Sequence, residues 1–501
     1  MKEKLFNKSI QDKEVKIYLM LFFIYLTLGK IVPVVHIIDG RVNSILSMAF
    51  AGIGALLLLQ DFLTQRVMLK TKGAFVLVAF MAAIGISSVA NMSYGITDNI
   101  KTMLWMCIQF FIIYAVYVRF EKEECCKFVE NLFVTLNIIW VAGEIISLIQ
   151  YVYQVGYWSV MTSESFKRQG FYKHRLFGVF SDPNVTAILA ICLIAFDVYM
   201  FIKCKGIWKR CILVLSVIIN YAYIILSGSR TALLCMYIVS VVISALVVKN
   251  ISVRKKTKVL KAVICILAAM VIGGGLCHII YVPAKKVVAV LPNIAKYIDN
   301  EEHTVSGHFI FFKYDTSSEM TITSDEAKEQ QSSSEKNSGH VEVDEENLIR
   351  EDTGSERKLN NRWDIWTGYM QSLKGSKLIV GLSPRNAIAY IKDVDPDNYI
   401  ASTGYVPHSD YIALPSYTGL TGTVVFLIFI FMVVAKFLKE FFSNKEMSKT
   451  DIFLWGCIGA IALFGVSYLE VLFANTLTAF IFWMAMSVVL NKKEKKIIIN
   501  K

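Results

Sequence analysis

The sequence FKRQGFYKHRLFGVFSDPN occupies Phe166–Asn184 and lies between two apolar runs, each long enough to cross a membrane. Counting crossings from the amino terminus predicts that this stretch is extracytoplasmic. Short outward loops of membrane proteins are normally poor in Lys and Arg, because positive residues are retained on the cytoplasmic side. This stretch instead carries a dense positive charge, contributed by Lys167, Arg168, Lys173, His174 and Arg175. We interpret the charge as a means of holding an anion.

The composition predicts an all-α polytopic membrane protein. Apolar residues make up 55% of the 501 residues, and the mean hydropathy is +0.52. Apolar runs of about twenty residues, the length that crosses about 30 Å of hydrocarbon, recur along the chain. The formal net charge is +12, but most Lys and Arg residues lie in short clusters between apolar runs, where they orient the spans. The charge therefore does not indicate a nucleic-acid partner.

The apolar runs predict about twelve transmembrane helices. They lie near residues 17–38, 42–59, 73–90, 100–118, 129–153, 185–202, 210–227, 230–248, 259–281, 413–437, 451–468 and 471–490. Every second connection between them is basic, from the amino-terminal segment to the tail KKEKK. Because basic connections stay in the cytoplasm, both termini are predicted to be cytoplasmic.

The spans divide the chain into three parts. Residues 1–281 form a membrane bundle with spans 1–9, and residues 413–501 add spans 10–12 and a cytoplasmic tail. Residues 282–412, between spans 9 and 10, form a large extracytoplasmic loop or cap. Its part near residues 315–358 is rich in Ser, Glu, Asp, Lys and Thr, which predicts a disordered acidic insertion. The flanking sequences VVAVLPNIAKYI and NNRWDIWTGYMQSLKGSKLIVGL predict helices.

Three motifs stand at the predicted outward starts of spans: Arg175–Asn184, Ser227–Arg230 and His408–Tyr411. In the first, Asp182 followed by Pro183 predicts an N-cap and a first-turn proline. The amino end of a helix offers unpaired N–H groups and a partial positive charge, which suit a phosphate. Arginine adds a fork of donors that grips two phosphate oxygens. Arg175 and Arg230 are therefore predicted to clamp a diphosphate whose lipid tail lies in the bilayer.

The motifs RLFGVFSDPN, SGSRTALL, NNRWDIW with LIVGL, and HSDYIALPSYTGLTG resemble, in order and membrane side, those of the O-antigen ligase and Wzy-type polysaccharide polymerase superfamily. The matching pieces cover about a tenth of the chain, and the topology match extends over nearly all of it. The resemblance implies a membrane glycosyltransferase of the GT-C type in the bacterial cytoplasmic membrane. Its active site would face outward and need no nucleotide sugar, cofactor or obligatory metal.

The resemblance also assigns roles to residues. Arg175 and Arg230 would bind the diphosphate of an undecaprenyl-diphosphate-linked glycan, and His408 would serve the acceptor hydroxyl. A neutral imidazole, with a reference pKa of about 6.5, is able to take the proton of that hydroxyl. The family commonly has Asn after this histidine, whereas Ser409 follows here, so the hydrogen bonding around His408 is expected to differ.

Other residues are weaker candidates for substrate contacts. Lys167 and Arg168 are expected to attract the substrate from a solvated face, and Asn184 lies at the same helix start as Asp182. Arg362 either meets the substrate or ties the cap through Asp364. Glu144 lies in the outer half of a span, where a carboxylate is costly and often functional.

No metal site is predicted. Asp393, Asp395 and Asp397 form a DxD-like cluster, but with Pro396 between them a turn is the simpler interpretation. Asp197, near the inner end of a span, is interpreted as structural.

The expected function is the extracytoplasmic polymerisation of polysaccharide repeat units, by glycosyl transfer to a sugar hydroxyl. An O-antigen-ligase-like transfer of a finished glycan to a lipid or cell-wall acceptor remains open. A transporter of the same lipid-linked oligosaccharide is the alternative from another class, although it predicts an internal repeat that the sequence lacks. The expected partners are the lipid-linked donor, an acceptor glycan or lipid, the membrane and other envelope polysaccharide assembly proteins.

Overall fold

The computed structural model describes residues 7–38, 40–162, 165–172, 174–255, 259–293 and 362–492, together with residues 308, 309, 312, 313 and 348. This part of the chain is mostly helical. The predicted acidic insertion near residues 315–358 lies outside the described residues apart from Leu348, as do Lys173 and all of the tail after Lys492.

The helices run in chain order as follows. They are α1 (Lys8–Leu28), α2 (Val32–Ile37), α3 (Gly40–Leu63), α4 (Ala74–Ala90), α5 (Thr97–Ile108), α6 (Val116–Arg119), α7 (Lys122–Val152), α8 (Pro183–Lys203), α9 (Ile207–Leu226), α10 (Arg230–Arg254), α11 (Val259–Ala289), α12 (Arg362–Gln371), α13 (Ser376–Val380), α14 (Ala387–Val394), α15 (Tyr399–Thr403), α16 (Asp410–Phe441), α17 (Lys449–Phe464) and α18 (Leu477–Asn491). A short π-helix, Gln109–Ile113, continues α5.

Eight segments of the described chain are helical, long and apolar enough to cross a membrane. They are Gly40–Leu63, Thr97–Arg119, Lys122–Val152, Pro183–Lys203, Ile207–Leu226, Arg230–Arg254, Lys261–Ala289 and Asp410–Phe441. Two shorter apolar helices, α4 and α18, accompany them. The prediction of a helical membrane protein is therefore supported, whereas the count of about twelve spans stays a prediction.

Two predicted spans end differently in the structure. The span expected at residues 17–38 is interrupted after Leu28, because the following segment leaves the helix and pairs with another part of the chain. There the N–H of Val32 donates to the carbonyl of Val179 over 2.8 Å, and the N–H of Ser181 donates to the carbonyl of Lys30 over 3.0 Å. The span expected at residues 451–468 ends at Phe464, and residues 465–476 form a non-helical segment before α18.

A small antiparallel sheet spans residues 156–178, where the sequence predicted only a loop. Its strands are β1 (Gly156–Thr162), β2 (Ser165–Tyr172) and β3 (Arg175–Gly178), in the order β1-β2-β3. Two further short strands, β4 (His308–Phe309) and β5 (Phe312–Lys313), pair with each other. The sheet carries Arg175 to the bundle, because β3 is followed directly by the start of α8.

Helix α18 lies at the centre of the bundle, and all of its residues are buried. A helix that is apolar on every side needs neighbours on every side. Aromatic side chains supply them: the Trp483 ring lies 4.6 Å from that of Phe110 and 5.7 Å from that of Phe429, between ring centroids. In contrast, α3 and α11 expose most of their apolar side chains, as expected of helices that face lipid.

The cap is fixed to the bundle at a kink in α16. Gly419 has φ +60° inside this helix, and a Cβ there would lie 2.3 Å from the carbonyl oxygen of Ile379. The close approach lets the N–H of Leu382 donate to the carbonyl of Ser416 over 2.8 Å. Asn386 adds side-chain hydrogen bonds to the carbonyls of Asn91 and Gly95. Helices α12–α15 are thus held over one end of the bundle.

Candidate functional site

Helix α8 begins as the sequence predicts. Asp182 is the N-cap, and its Oδ1 accepts hydrogen bonds from the N–H of Asn184 over 2.6 Å and of Val185 over 3.3 Å. Pro183 occupies the first helical position, where its missing N–H has no cost. The positive end of the α8 dipole therefore lies beside the basic stretch.

Arg175 connects this helix start to the next helix end. Its Nε donates to the carbonyl oxygen of Ser227 over 2.9 Å, and its Nη2 donates to Oδ1 of Asn184 over 2.8 Å. The side chain is half-buried. The two hydrogen bonds fix the guanidinium between the carboxyl end of α9 and the amino end of α8, so its position does not depend on a ligand.

Arg230 begins α10 close to the same place. Ser229 caps this helix by accepting a hydrogen bond from the N–H of Ala232 over 3.2 Å. Gly228 has φ +59°, and a Cβ there would lie 3.1 Å from Cγ of Arg175. The start of α10 therefore packs directly against the stem of Arg175 at Gly228, and the side chain of Arg230, two residues further on, is exposed.

His408 lies in the segment between α15 and α16. Its φ is +48°, a left-handed conformation that costs energy for a residue with a Cβ. The cap supports the segment: Nε1 of Trp366 donates to the carbonyl of Pro407 over 3.1 Å, and the Tyr369 hydroxyl donates to the carbonyl of Tyr405 over 2.9 Å. Residues held in unfavourable backbone conformations concentrate at functional sites.

Arg362 reaches the same place from the start of α12. Its guanidinium carbon lies 5.1 Å from the centroid of the Tyr468 ring. Arg362 therefore meets the segment that follows α17. The two roles left open by the sequence, a contact with the substrate and a tie of the cap through Asp364, both stay predictions.

Electrostatic interactions join these residues into one cluster. Burial is the main cause that lowers the pKa of His408, the charge of Arg362 lowers it further, and the charge of Asp182 opposes both. Burial also raises the pKa of Tyr468 to about 12, with Asp182 adding to the shift and Arg362 and Arg175 opposing it. We call Arg175, Asp182, Arg362, His408 and Tyr468 the arginine–histidine site.

Asp410 holds the segment that carries Tyr468. Its carboxylate accepts hydrogen bonds from the N–H groups of Glu470, Val471 and Leu472, over 3.2, 3.0 and 3.1 Å. The N–H of Asp410 donates to the carbonyl of Gly465 over 2.8 Å. Because Asp410 follows His408 by two residues, this arrangement fixes Tyr468 relative to the histidine.

Ser409, which stands where the resembled family commonly has Asn, is the N-cap of α16. Its hydroxyl accepts from the N–H of Ile412 and donates to the carbonyl of Gly465, both over 3.4 Å. The Ser409 hydroxyl therefore bonds the backbone of the first turn of α16 and that of the segment after α17.

Lys167 and Arg168 lie farther along the sheet. On β2 they pair with Ser159 and Trp158, whereas Tyr172 of the same strand pairs with Arg175. Arg168 packs its guanidinium carbon 5.0 Å from the Tyr172 ring centroid, and Lys167 is exposed. The Arg168 guanidinium therefore reaches the side chain of Tyr172, which pairs with Arg175, and the roles of Lys167 and Arg168 stay predictions.

Glu144 is buried in α7, beneath the site. Neither of its carboxyl oxygens has a hydrogen-bond partner within the described part of the chain. Tyr223 lies within electrostatic range of Glu144, Asp182 and Arg175, and its hydroxyl donates to the carbonyl of Phe177 over 3.0 Å. The structure thus places Glu144 inside the bundle rather than at its surface.

Two of the three aspartates of the DxD-like cluster have protein partners nearby. Asp393 accepts a hydrogen bond from the Tyr94 hydroxyl over 2.6 Å, and Asp395 accepts one from Asn398 over 3.3 Å. Within the described ranges, no group of three or more His, Cys, Asp or Glu residues is arranged to hold a metal ion.

The sequence did not indicate Tyr468 or the acidic residue beside it, Glu470. Glu470 forms an ion pair with Lys30 at 3.8 Å and accepts a hydrogen bond from the hydroxyl of Thr478 over 2.9 Å. Tyr468 was predicted as the last residue of one span and Glu470 lay between that span and the next, and no local motif marks either residue. The contacts of Asp410 with the backbone at 470–472 and of Arg362 with the Tyr468 ring show that the stretch returns to the site.

Comparison with protein-family models, with curated proteins and with solved structures finds no match to this chain. The resemblance to the O-antigen ligase and Wzy-type superfamily therefore stays a prediction that rests on the motifs and their order.

Proposed function

We propose that the chain is an inverting membrane glycosyltransferase. It would polymerise polysaccharide repeat units by moving a glycan from undecaprenyl diphosphate to a sugar hydroxyl, without a requirement for a metal. The observation that carries the proposal is the arginine–histidine site itself. Two arginines, a histidine of lowered pKa and the start of a membrane helix converge there from segments far apart in sequence.

The donor diphosphate fits the positive side of the site. Arg175 is fixed by its bonds to Ser227 and Asn184, and Arg230, which begins the helix after Gly228 and Ser229, is exposed. The amino ends of α8 and α10 add partial positive charge next to these arginines. Such fixed charges stabilise the leaving diphosphate as its negative charge develops, because they need no reorganisation during the reaction.

His408 fits the acceptor side. Its pKa is lowered by burial and by Arg362, so the imidazole is neutral at neutral pH and able to accept a proton. The acceptor oxygen attacks the anomeric carbon while its proton passes to the imidazole. A glycosidic C–O bond forms, the bond between the anomeric carbon and the diphosphate oxygen breaks, and undecaprenyl diphosphate leaves. A single displacement inverts the anomeric configuration.

Asp182 and Tyr468 complete the site without a direct role in the transfer. The negative charge of Asp182 raises the pKa of His408, so it stabilises the imidazolium that forms during attack. Tyr468 stays uncharged, because burial raises the pKa of its phenol. Its ring gives the guanidinium of Arg362 a face to pack on.

The experiment uses proteoliposomes of the full chain with a synthetic undecaprenyl-diphosphate oligosaccharide. The proposal predicts longer glycans and release of undecaprenyl diphosphate, both lost in His408→Ala. His278→Ala is the matched control, because His278 of α11 forms a hydrogen bond with the hydroxyl of Tyr237 of α10 instead of lying at the site. An unchanged yield of polymer in His408→Ala at equal protein level would remove the assignment of the base.

The same assay separates the alternatives. Transfer of the glycan to an added lipid or wall acceptor, with no lengthening of the lipid-linked chain, would favour a ligase. Movement of the lipid between leaflets without any new glycosidic bond would instead show a transporter and overturn the proposal.

A further inference from the structure

A cavity of about 1070 Å³ opens at the end of the bundle opposite the arginine–histidine site. Helix α16 shows the separation: it begins at Asp410 beside His408, and its last turns line the cavity with Lys436 and Lys439. The cavity also lies between the carboxyl ends of α6 and α18 and the amino ends of α7 and α17. We call it the basic cavity.

The walls of the basic cavity are strongly positive. Seven lysines line it: Lys70, Lys72, Lys122, Lys436, Lys439, Lys445 and Lys492. Three acids share the walls: Glu440, Glu446 and Asp451. The lysines therefore exceed the acids by four charges, and like charges brought into one recess repel unless an anion joins them.

Two of the three acids are already engaged. Glu440 pairs with Lys436 at 3.0 Å and accepts a hydrogen bond from Nε1 of Trp455 over 3.0 Å. Asp451 pairs with Lys492 and completes the capping box at the start of α17. Each of these contacts pairs one acid with one lysine, so the residues that line the cavity keep their excess of four positive charges.

The wall around residues 443–447 is held by a separate set of bonds. Lys249 donates to the carbonyl of Lys445, and the Asn250 side chain donates to the carbonyl of Met447 over 2.7 Å and accepts from its N–H over 2.9 Å. The cavity is therefore formed before any ligand arrives, which reduces the cost of ordering on binding.

Apolar side chains stand among the lysines: Tyr117, Val118, Phe120 and Met447. Lysines are able to bind a phosphate headgroup, and the apolar side chains among them are able to contact the hydrocarbon part of the same molecule. Basic recesses between transmembrane helices on the cytoplasmic side bind such anionic headgroups.

We propose that the basic cavity binds a phosphate-bearing anion. The anionic headgroup of a phospholipid with two phosphates, such as cardiolipin, fits its charge and its apolar wall, and a soluble diphosphate shares the phosphate chemistry. This binding site is independent of the glycosyl transfer proposed above, because no residue is common to the two sites.

The test measures lipids retained by the purified full chain in native mass spectrometry. Cardiolipin and phosphatidylcholine are supplied in turn, and inorganic pyrophosphate is titrated in a separate arm without anionic lipid. The variant Lys70→Gln/Lys122→Gln/Lys445→Gln removes three exposed lysines of the cavity. The matched control, Lys13→Gln/Lys205→Gln/Lys209→Gln, removes three exposed lysines that do not line it.

The expected result is retention of cardiolipin over phosphatidylcholine, with affinity at least tenfold lower in the cavity variant and unchanged in the control. If the protein binds pyrophosphate through these lysines but does not retain cardiolipin, the basic cavity is still a phosphate site and its ligand is soluble. Equal loss in both triple variants, or binding of neither anion, would overturn the proposal. In a second test, the single variant Lys122→Gln is expected to lower the affinity for cardiolipin, by less than the triple variant does.

Discussion

The guanidinium carbon of Arg362 lies 5.1 Å from the ring centroid of Tyr468. This contact joins the first helix of the cap to the non-helical segment that follows α17. Asp410 fixes that segment through three backbone hydrogen bonds, and His408 stands two residues before Asp410. The charge environment of His408 is therefore set by residues of the cap and of the bundle together.

The pH dependence of transfer tests this relationship. His408 acts as a base only when neutral, so the rate falls as the pH drops through its lowered pKa. Arg362→Gln removes a positive charge that lowers this pKa, so the acidic limb of the rate profile is expected to move to higher pH. Asp182→Asn keeps an N-cap side chain but removes a charge that raises the pKa, so the limb is expected to move to lower pH.

Initial rates of glycan transfer between about pH 4.5 and pH 8 measure both shifts, since imidazole titrates in this range. Opposite directions in the two variants are the specific expectation. A shift in the same direction, or the wild-type profile in both variants, would mean that the charges of Arg362 and Asp182 do not set the pKa of the base.

Arg175→Lys tests the clamp. Lysine keeps the charge but not the fork that bonds Ser227 and Asn184 at once, so kcat/KM for the lipid-linked donor is expected to fall roughly 100-fold, or about 2.7 kcal/mol. Arg254→Lys, an exposed position in the last turn of α10, is the control and is expected to keep the wild-type value. A wild-type kcat/KM in Arg175→Lys would mean that the diphosphate is bound elsewhere.

Gly228→Ala tests the packing between the two arginine motifs. The new Cβ would lie 3.1 Å from Cγ of Arg175 at a φ of +59°, and a left-handed conformation costs about 1–2 kcal/mol for alanine. We expect a lower thermal midpoint together with at least a roughly tenfold loss of transfer, since a small displacement of a positioning group has a large effect on rate. Gly206→Ala, where a Cβ meets open space, is expected to change neither quantity.

Asp410→Asn tests the support of the Tyr468 segment. The amide offers one acceptor oxygen where the carboxylate offers two, and its NH₂ faces backbone donors. The buried N–H groups left unpaired cost about 1–3 kcal/mol, so thermal unfolding in detergent is expected at lower temperature than in the exposed control Asp397→Asn. Equal midpoints for the two variants would show that the three hydrogen bonds do not hold the segment.

The sequence predicts the helical elements well wherever an apolar run is bounded by local signals. Asp182 with Pro183 marks the start of α8 because the N-cap and first-turn proline act within one helical turn. Ser229 and Ser409 mark the starts of α10 and α16 in the same way. These three helix starts are also the motifs that the sequence singled out.

Features that depend on distant contacts were not predictable. Leu28 ends α1 because residues 30–32 bond to residues 179–181, a pairing that no local pattern encodes. Tyr468 and Glu470 follow an apolar helix without a Gly/Pro signal strong enough to separate them from it. The basic stretch was predicted as a loop, because its alternation is too irregular to indicate the strands β2 and β3.

The most direct test of the proposed transfer is a single-turnover reaction in proteoliposomes with an excess of enzyme over lipid-linked donor. Undecaprenyl diphosphate and new glycosidic bonds are counted in the same sample, and the anomeric configuration of the product is determined by NMR. The proposed function predicts one inverted glycosidic bond for each undecaprenyl diphosphate released, with both products lost in His408→Ala and retained in His278→Ala. Release of undecaprenyl diphosphate without a new bond, or equal bond formation in His408→Ala, would contradict it.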